Sequence, residues 1–184
     1  MPNLTSPLFA IVAAAFLALA PLPSIAQNIV ETSEKSPQLE SKIQSLLTIG
    51  TSASHPDTAL GNKQALIGAE IRKLVKLAGV EVSAIGIKPG EVDVVKVVTE
   101  GVTKYAATHT MSITLPSGVV AVKRSTGEST SASSYVVKTE VRDVRSGSLV
   151  WNYTAQIDAG FFLGASNADV ANAIVARMRS DGLL

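Results

Sequence analysis

Residues 135–157 contain two alternating runs joined by a short polar turn. Every second residue over 135–141 is apolar or Thr, and every second residue over 149–157 is apolar. The link Arg145-Ser146-Gly147 supplies a glycine, which can adopt the positive φ of a tight turn. This period of two predicts a β-hairpin. The hairpin contains the only Trp, Trp151, on the same face as Leu149 and Tyr153, and we predict that it anchors the core.

The composition favours one domain with an aliphatic core. The chain has 184 residues, of which 46% are hydrophobic and only 4% are aromatic. Its formal net charge is +1, so it carries no strong field and nucleic acid is not a predicted partner. It has no Cys, which excludes disulfides, thiolate metal sites, a Cys nucleophile and a lipid anchor on an N-terminal Cys.

Around the hairpin, the spacing of apolar residues predicts the other elements. Helical spacing predicts helices over 38–48, 62–78 and 169–179, the last opened by a capping box of Ser166 and Asp169. Strands are predicted over 80–87, 92–99, 103–115 and 119–123, with the last two paired as a hairpin. We therefore expect an α+β fold, in which two main helices pack on a mostly antiparallel sheet of five or six strands, as a single domain.

The N-terminus has the form of a secretory signal peptide. Residues 8–20 are an unbroken apolar run, which is too short for a membrane span of about 20 residues. Pro21 ends the run, and Ser24-Ile25-Ala26 puts small residues where a signal peptidase cuts. An uncleaved anchor and a buried helix are the alternatives. The expected organisation is a signal peptide over 1–26, a polar lead-in with a short helix over 27–55, and the α+β domain over 56–184.

Candidate catalytic residues are few. His55 lies in a polar loop, and His109 lies on the apolar face of a strand, where it is predicted to be a core or rim histidine. No H-x-H, H-E-x-x-H or G-x-S-x-G motif occurs. Glu91 and Asp93 share a strand face only if that segment is extended, and Asp143 is predicted to stabilise the hairpin turn. We therefore predict no catalytic residue, no cofactor and no metal site.

Two surfaces are candidates for interaction. Phe161, Phe162 and Leu163 lie between two glycines, where they either plug the core or form an exposed patch. Arg72, Lys73 and Lys76 form a basic face on the helix over 62–78, which is either a solvated surface or a site for an anionic lipid headgroup.

From about Leu66 onward, the chain resembles a group of bacterial cell-envelope proteins, many of them lipoproteins. The shared pieces are Ala78-Gly79, Val92-Asp93-Val94-Val95, the hairpin Asp143-Val-Arg-Ser146-Gly147-Ser-Leu149-Val150-Trp151, written D-x-x-[ST]-G-x-L-V-W, and the C-terminal helix. Curli-secretion and lipid-transport auxiliary lipoproteins are similar in their α/β layers. This resemblance implies an envelope location and carries no catalytic residues. The chain departs from it by lacking Cys, and by a lead-in and helix over 28–55 where the similar proteins open with a strand.

The sequence thus predicts a periplasmic or secreted, non-enzymatic binding or assembly component of the cell envelope. Its expected partner is an envelope protein or a lipid, with no transmembrane span after signal cleavage and with an oligomeric state that the sequence does not specify. One alternative is a small periplasmic hydrolase that uses a Ser or acid site assembled from distant segments, and a cluster of His109, a Ser and an acid within hydrogen-bond reach would support it. Another is a self-assembling subunit that uses an edge strand or the patch over 161–163.

Overall fold

The computed structural model describes residues 29–37, 39, 42–51, 59–88, 90–116, 120–122, 132–158 and 165–184. The predicted signal peptide, residues 1–26, lies outside these ranges. The described strands are β1 (Ile29–Lys35), β2 (Ser45–Thr51), β3 (Glu81–Ile87), β4 (His109–Thr114), β5 (Val120–Val122), β6 (Ala132–Asp143) and β7 (Leu149–Asp158). The described helices are α1 (Ala59–Leu77), α2 (Val94–Tyr105) and α3 (Asn167–Ser180).

The predicted hairpin is β6 and β7, which lie at the middle of the antiparallel part of the sheet. Tyr135 pairs with Ile157, and Val141 pairs with Trp151. A register shift follows Val141, and Gly147 takes a φ of +68° in the turn. Six strands lie side by side in the order β1-β7-β6-β4-β2-β3. The seventh, β5, pairs with the N-terminal end of β6. The hairpin prediction is confirmed.

The sheet is mixed but mostly antiparallel, so the predicted α+β class is confirmed. The pairs β1–β7, β7–β6, β6–β4 and β5–β6 are antiparallel, whereas β2 pairs in parallel with both β3 and β4. The predicted hairpin between 103–115 and 119–123 is wrong, because β5 pairs with β6 rather than with β4. Parallel neighbours need crossover connections, and α1 and α2 supply them.

The core lies between one face of the sheet and the two predicted main helices. Trp151 and Tyr153 are each 1% exposed in this cluster, and their rings stack with centroids 5.8 Å apart. The capping box predicted for α3 is present, with Ser166 and Asp169 bonded to each other's backbone N–H. The helices contribute Ile67, Ile71 and Val75 from α1, and Val170, Ile174 and Met178 from α3.

A third helix replaces the strand predicted over 92–99, and that prediction is wrong. The Asp93 side chain accepts a hydrogen bond from the Lys96 N–H at 2.9 Å and caps the N-terminus of α2. The valines of this segment favour a strand by residue type, but they also recur at helical spacing, and the cap decides for the helix. Consequently β4 begins only at His109. Ala106 ends α2 in the left-handed conformation, with a φ of 48°.

The segment before residue 56 also differs from its prediction. The helix expected over 38–48 is wrong, since β2 begins at Ser45, and the polar lead-in contains β1. Leu46 and Leu47 are both fully buried, and successive strand residues point to opposite faces. Leu46 belongs to the core under α1 and α3, whereas Leu47 lies beside Gly101 of α2. The described part of this segment therefore opens with a strand, as the envelope resemblance implied.

Candidate functional site

His109 is held at the start of β4, beneath the β6–β7 turn. It is 7% exposed, as the predicted core or rim position requires. Its Nδ1 lies 3.0 Å from the Thr108 hydroxyl, which itself donates to the Ser45 carbonyl at 2.9 Å. The hydroxyl has one proton, so it accepts from Nδ1–H, and Nε2 is left as an acceptor. Burial lowers the pKa of His109, and Asp143, 4.0 Å from Nε2, offsets only part of this effect.

Asp143 organises the turn that follows β6. Its Oδ1 accepts from the backbone N–H of Ser146 at 2.7 Å and from the Ser146 hydroxyl at 2.9 Å. These two hydrogen bonds are the main reason that the pKa of Asp143 is lowered, and His109 contributes less. The turn-stabilising role predicted for Asp143 is confirmed.

His109, Asp143 and Ser146 are thus neighbours, but their order does not suit a serine nucleophile. Such a site needs a hydroxyl against the basic nitrogen of the histidine. Here the Ser146 hydroxyl donates to Asp143, and the hydroxyl that touches the ring belongs to Thr108. The other acid pair, Glu91 and Asp93, lies at the cap of α2 rather than on a strand face. The contacts of these described residues do not assemble the site that the hydrolase alternative required.

A second polar cluster surrounds Asp181, the residue that caps the C-terminal end of α3. Its Oδ2 accepts from Trp151 Nε1 at 2.8 Å, from the Ser33 hydroxyl at 2.7 Å and from Arg177 Nε at 3.1 Å. Partial burial would by itself raise the pKa of Asp181, but the hydrogen bonds from Trp151, Ser33 and Arg177 outweigh it, and the pKa is lowered. The cluster joins β1, β7 and α3, because one carboxylate accepts hydrogen bonds from a residue of each element.

Beside this cluster a small cavity opens at the start of β7. Its volume is about 180 Å³, which is less than the roughly 300 Å³ at which small-molecule sites begin. The cavity is therefore smaller than the usual site for a metabolite. Its lining residues are Glu34, Lys35, Ser36, Leu149, Trp151 and Asn152.

The described helices leave the opposite face of the sheet uncovered over β1, β7, β6 and β4, since α2 packs against β2 and β3. We call this surface the open polar face. Lys138, Arg142 and Thr114 are exposed on it, and Asn152 and Thr154 are half-buried. The strand register aligns its side chains in two cross-strand rows. The rows are Thr32–Thr154–Lys138–Thr114 and Glu34–Asn152–Glu140–Ser112.

Of the two interaction surfaces predicted from the sequence, the structure describes only the basic face of α1. Arg72, Lys73 and Lys76 lie on the last turns of α1, where Lys73 is paired with Glu70 at 2.7 Å. Residues 161–163 and His55 lie outside the described residues. Within the described ranges, no helix is long and apolar enough to cross a membrane, and no three His, Asp or Glu side chains converge as a metal ion would require.

Comparisons with known proteins return no matching family model and no matching curated protein. Among solved structures, a point variant of PelC from Paraburkholderia phytofirmans, described as a dodecamer, is 16% identical, with a TM-score of 0.49 over 82% of this chain and 96% of that one. Lipoprotein GNA1162 from Neisseria meningitidis is 17% identical, with a TM-score of 0.42 over 75% of this chain and 96% of that one. With TM-scores below 0.5 these likenesses assign neither fold nor function, and the fold rests on the strands and helices given above.

Proposed function

We propose that this protein is an exported, non-enzymatic component of the bacterial cell envelope that binds another envelope protein through the open polar face. The observation that carries the proposal is that face itself. α1 and α3 cover one side of the sheet, whereas in the described part of the chain four strands of the other side carry exposed or half-buried side chains that no helix covers.

The chemistry of the face indicates the kind of partner. Thr32, Thr154 and Thr114 offer hydroxyls, Asn152 an amide and Lys138 an ammonium group, on neighbouring strands about 4.8 Å apart. These groups can donate and accept hydrogen bonds across several strands, which suits a hydrated protein surface. The polar side chains of this face offer little to a lipid chain.

The test is site-specific crosslinking in intact bacteria. A photo-crosslinking amino acid is placed at Thr154, in the open polar face, and at Asn172, which is exposed on α3 on the other side of the molecule. We expect a crosslinked protein adduct from Thr154 and none from Asn172, in the periplasmic fraction. Equal crosslinking from both positions, or recovery of the protein in the cytoplasm, would contradict the proposal.

A second contact is proposed for the basic face of α1, with Phe161, Phe162 and Leu163 as a further candidate patch. Arg72, Lys73 and Lys76 would meet an anionic headgroup, and each such cation near a membrane contributes about 1 kcal/mol. Cosedimentation with vesicles that contain anionic lipid tests this contact. Binding that Arg72→Gln and Lys76→Gln leave unchanged would refute it.

A further inference from the structure

One edge of the sheet is β1, whose seven residues pair along their whole length with β7. In the described part of the chain no strand pairs with its other side. An edge strand of this kind presents backbone N–H and C=O groups that can pair with a further strand. Val30 is 73% exposed, and Glu31, Thr32, Glu34 and Lys35 are exposed as well.

The charges on β1 have an order that favours its own copy as the partner. Glu31 and Lys35 lie two positions to either side of Ser33, and the period of two puts all three on the face that α3 covers. Two identical strands that pair in antiparallel fashion are related by a two-fold axis normal to the sheet. This axis lies between the two strands, so that one residue, the centre of the pairing, lies directly opposite the same residue of the second copy. Only a few registers are therefore available.

A pairing centred on Ser33 sets Glu31 opposite Lys35 of the second copy, and Lys35 opposite Glu31 of the second copy. On the other face it sets Thr32 opposite Glu34. A centre at Thr32 would place Val30 against Glu34, and a centre at Glu34 would place two carboxylates against each other. Opposite charges directly across a strand pair are favourable, and like charges are unfavourable. Charge complementarity thus selects the Ser33 centre.

The hydrogen bonds that the Ser33 and Glu31 side chains make within the protein do not prevent this pairing. The Ser33 hydroxyl is directed to Asp181 and Arg177, so it does not fill the edge. Glu31 accepts the Tyr153 hydroxyl at 2.7 Å through one carboxylate oxygen, which leaves the other for a lysine.

We propose that β1 pairs with β1 of a second copy of this chain in antiparallel fashion around Ser33, so that the two sheets become one. Because the axis is normal to the sheet, both open polar faces lie on the same side and form one surface of eight strands. The proposal concerns self-association, and it stands whether or not the open polar face binds an envelope protein.

Charge reversal tests the register. Glu31→Lys alone and Lys35→Glu alone each place like charges at both ends of the paired strands, and we expect the dimer dissociation constant to rise about tenfold in sedimentation equilibrium. An equimolar mixture of the two variants restores opposite charges and should form a heterodimer. Glu34→Lys is the matched control, because it makes the same charge change on the same strand opposite a neutral Thr32, and it should leave the dimer unchanged.

Crosslinking tests the centre independently of affinity. The chain has no Cys, so Ser33→Cys introduces a single thiol. In the proposed pairing the two Cα atoms lie about 4.5–5.5 Å apart, which is within the range for a disulfide. We expect a covalent dimer on oxidation from Ser33→Cys and none from a Ser180→Cys control on the exposed end of α3. A monomer at all concentrations, or variants that dimerise alike without regard to charge, would overturn the proposal.

Discussion

The Trp151 indole donates to Asp181 Oδ2 at 2.8 Å, and this contact ties the hairpin strand β7 to the end of α3. Trp151 is 1% exposed, so its Nε1–H requires a partner inside the protein. The same carboxylate also accepts from Ser33 of β1. One acid therefore joins β1, the β6–β7 hairpin and α3.

Removal of the Trp151 side chain should be among the costliest single changes in this fold. Trp151→Ala is expected to lower the free energy of unfolding by about 3–5 kcal/mol, since it leaves a cavity and removes a buried ring. In a double-mutant cycle, Trp151→Phe and Asp181→Ala should show a coupling of about 1 kcal/mol or more, because they share one hydrogen bond to a charged group. Urea unfolding measures both quantities. Additive effects in the cycle would show that the indole–carboxylate bond contributes nothing.

Asp181 should also make the fold sensitive to acid. Its pKa in the folded protein lies below the ordinary value of 3.8, so the unfolded chain takes up the proton first as the pH falls. The stabilisation is therefore complete above the unfolded pKa and is lost as the pH falls through the folded one. We expect the difference in unfolding free energy between the native protein and Asp181→Asn to shrink from about pH 5 to about pH 2. A constant difference over that range would contradict this assignment.

The elements that the sequence predicted are those in which local pattern and tertiary contact agree. The hairpin has a strict period of two, and α3 has its capping box, so both are recognisable before folding. The segment over 92–105 is different, because valines favour strands by type while their spacing suits a helix. The Asp93 cap was the signal that could have decided it. Leu46 and Leu47 fit the helical spacing that predicted a helix over 38–48, but in the structure both are buried on opposite faces of β2.

The polar clusters were harder to predict than the elements that carry them. The side-chain partners of Asp181 include Trp151 and Ser33, which lie 30 and 148 residues away in the chain. Such contacts depend on strand order, which a single sequence does not reveal. Asp143 is different, because it accepts a hydrogen bond from Ser146, only three residues later in the chain. Its turn-stabilising role could therefore be predicted from the local sequence.

The pKa of His109 should lie below the ordinary value for a histidine. Burial lowers its pKa from 6.5 and Asp143 offsets part of this, so the unfolded state binds the proton more readily and the stabilisation is lost as the pH falls through the folded pKa. In a His55→Ala background, the NMR titration midpoint of the remaining ring should lie below 6.5, and Asp143→Asn should lower it further. A midpoint above 6.5 would mean that the ion pair with Asp143 outweighs burial.

Gly101 and Gly68 allow a paired test of helix packing. A Cβ on Gly101 would lie 3.0 Å from Ile85 Cγ2 and 3.2 Å from Leu47 Cδ2, whereas one on Gly68 would meet its nearest neighbours at 3.5 and 3.6 Å. Gly101→Ala should therefore destabilise the fold by about 1–3 kcal/mol, because α2 has to move away from β2 and β3. Gly68→Ala should instead stabilise it by about 0.5–1 kcal/mol, because Ala favours the helix and fits the space. Thermal unfolding of the two variants distinguishes them, and a stabilising Gly101→Ala would show that α2 does not pack as closely as these distances require.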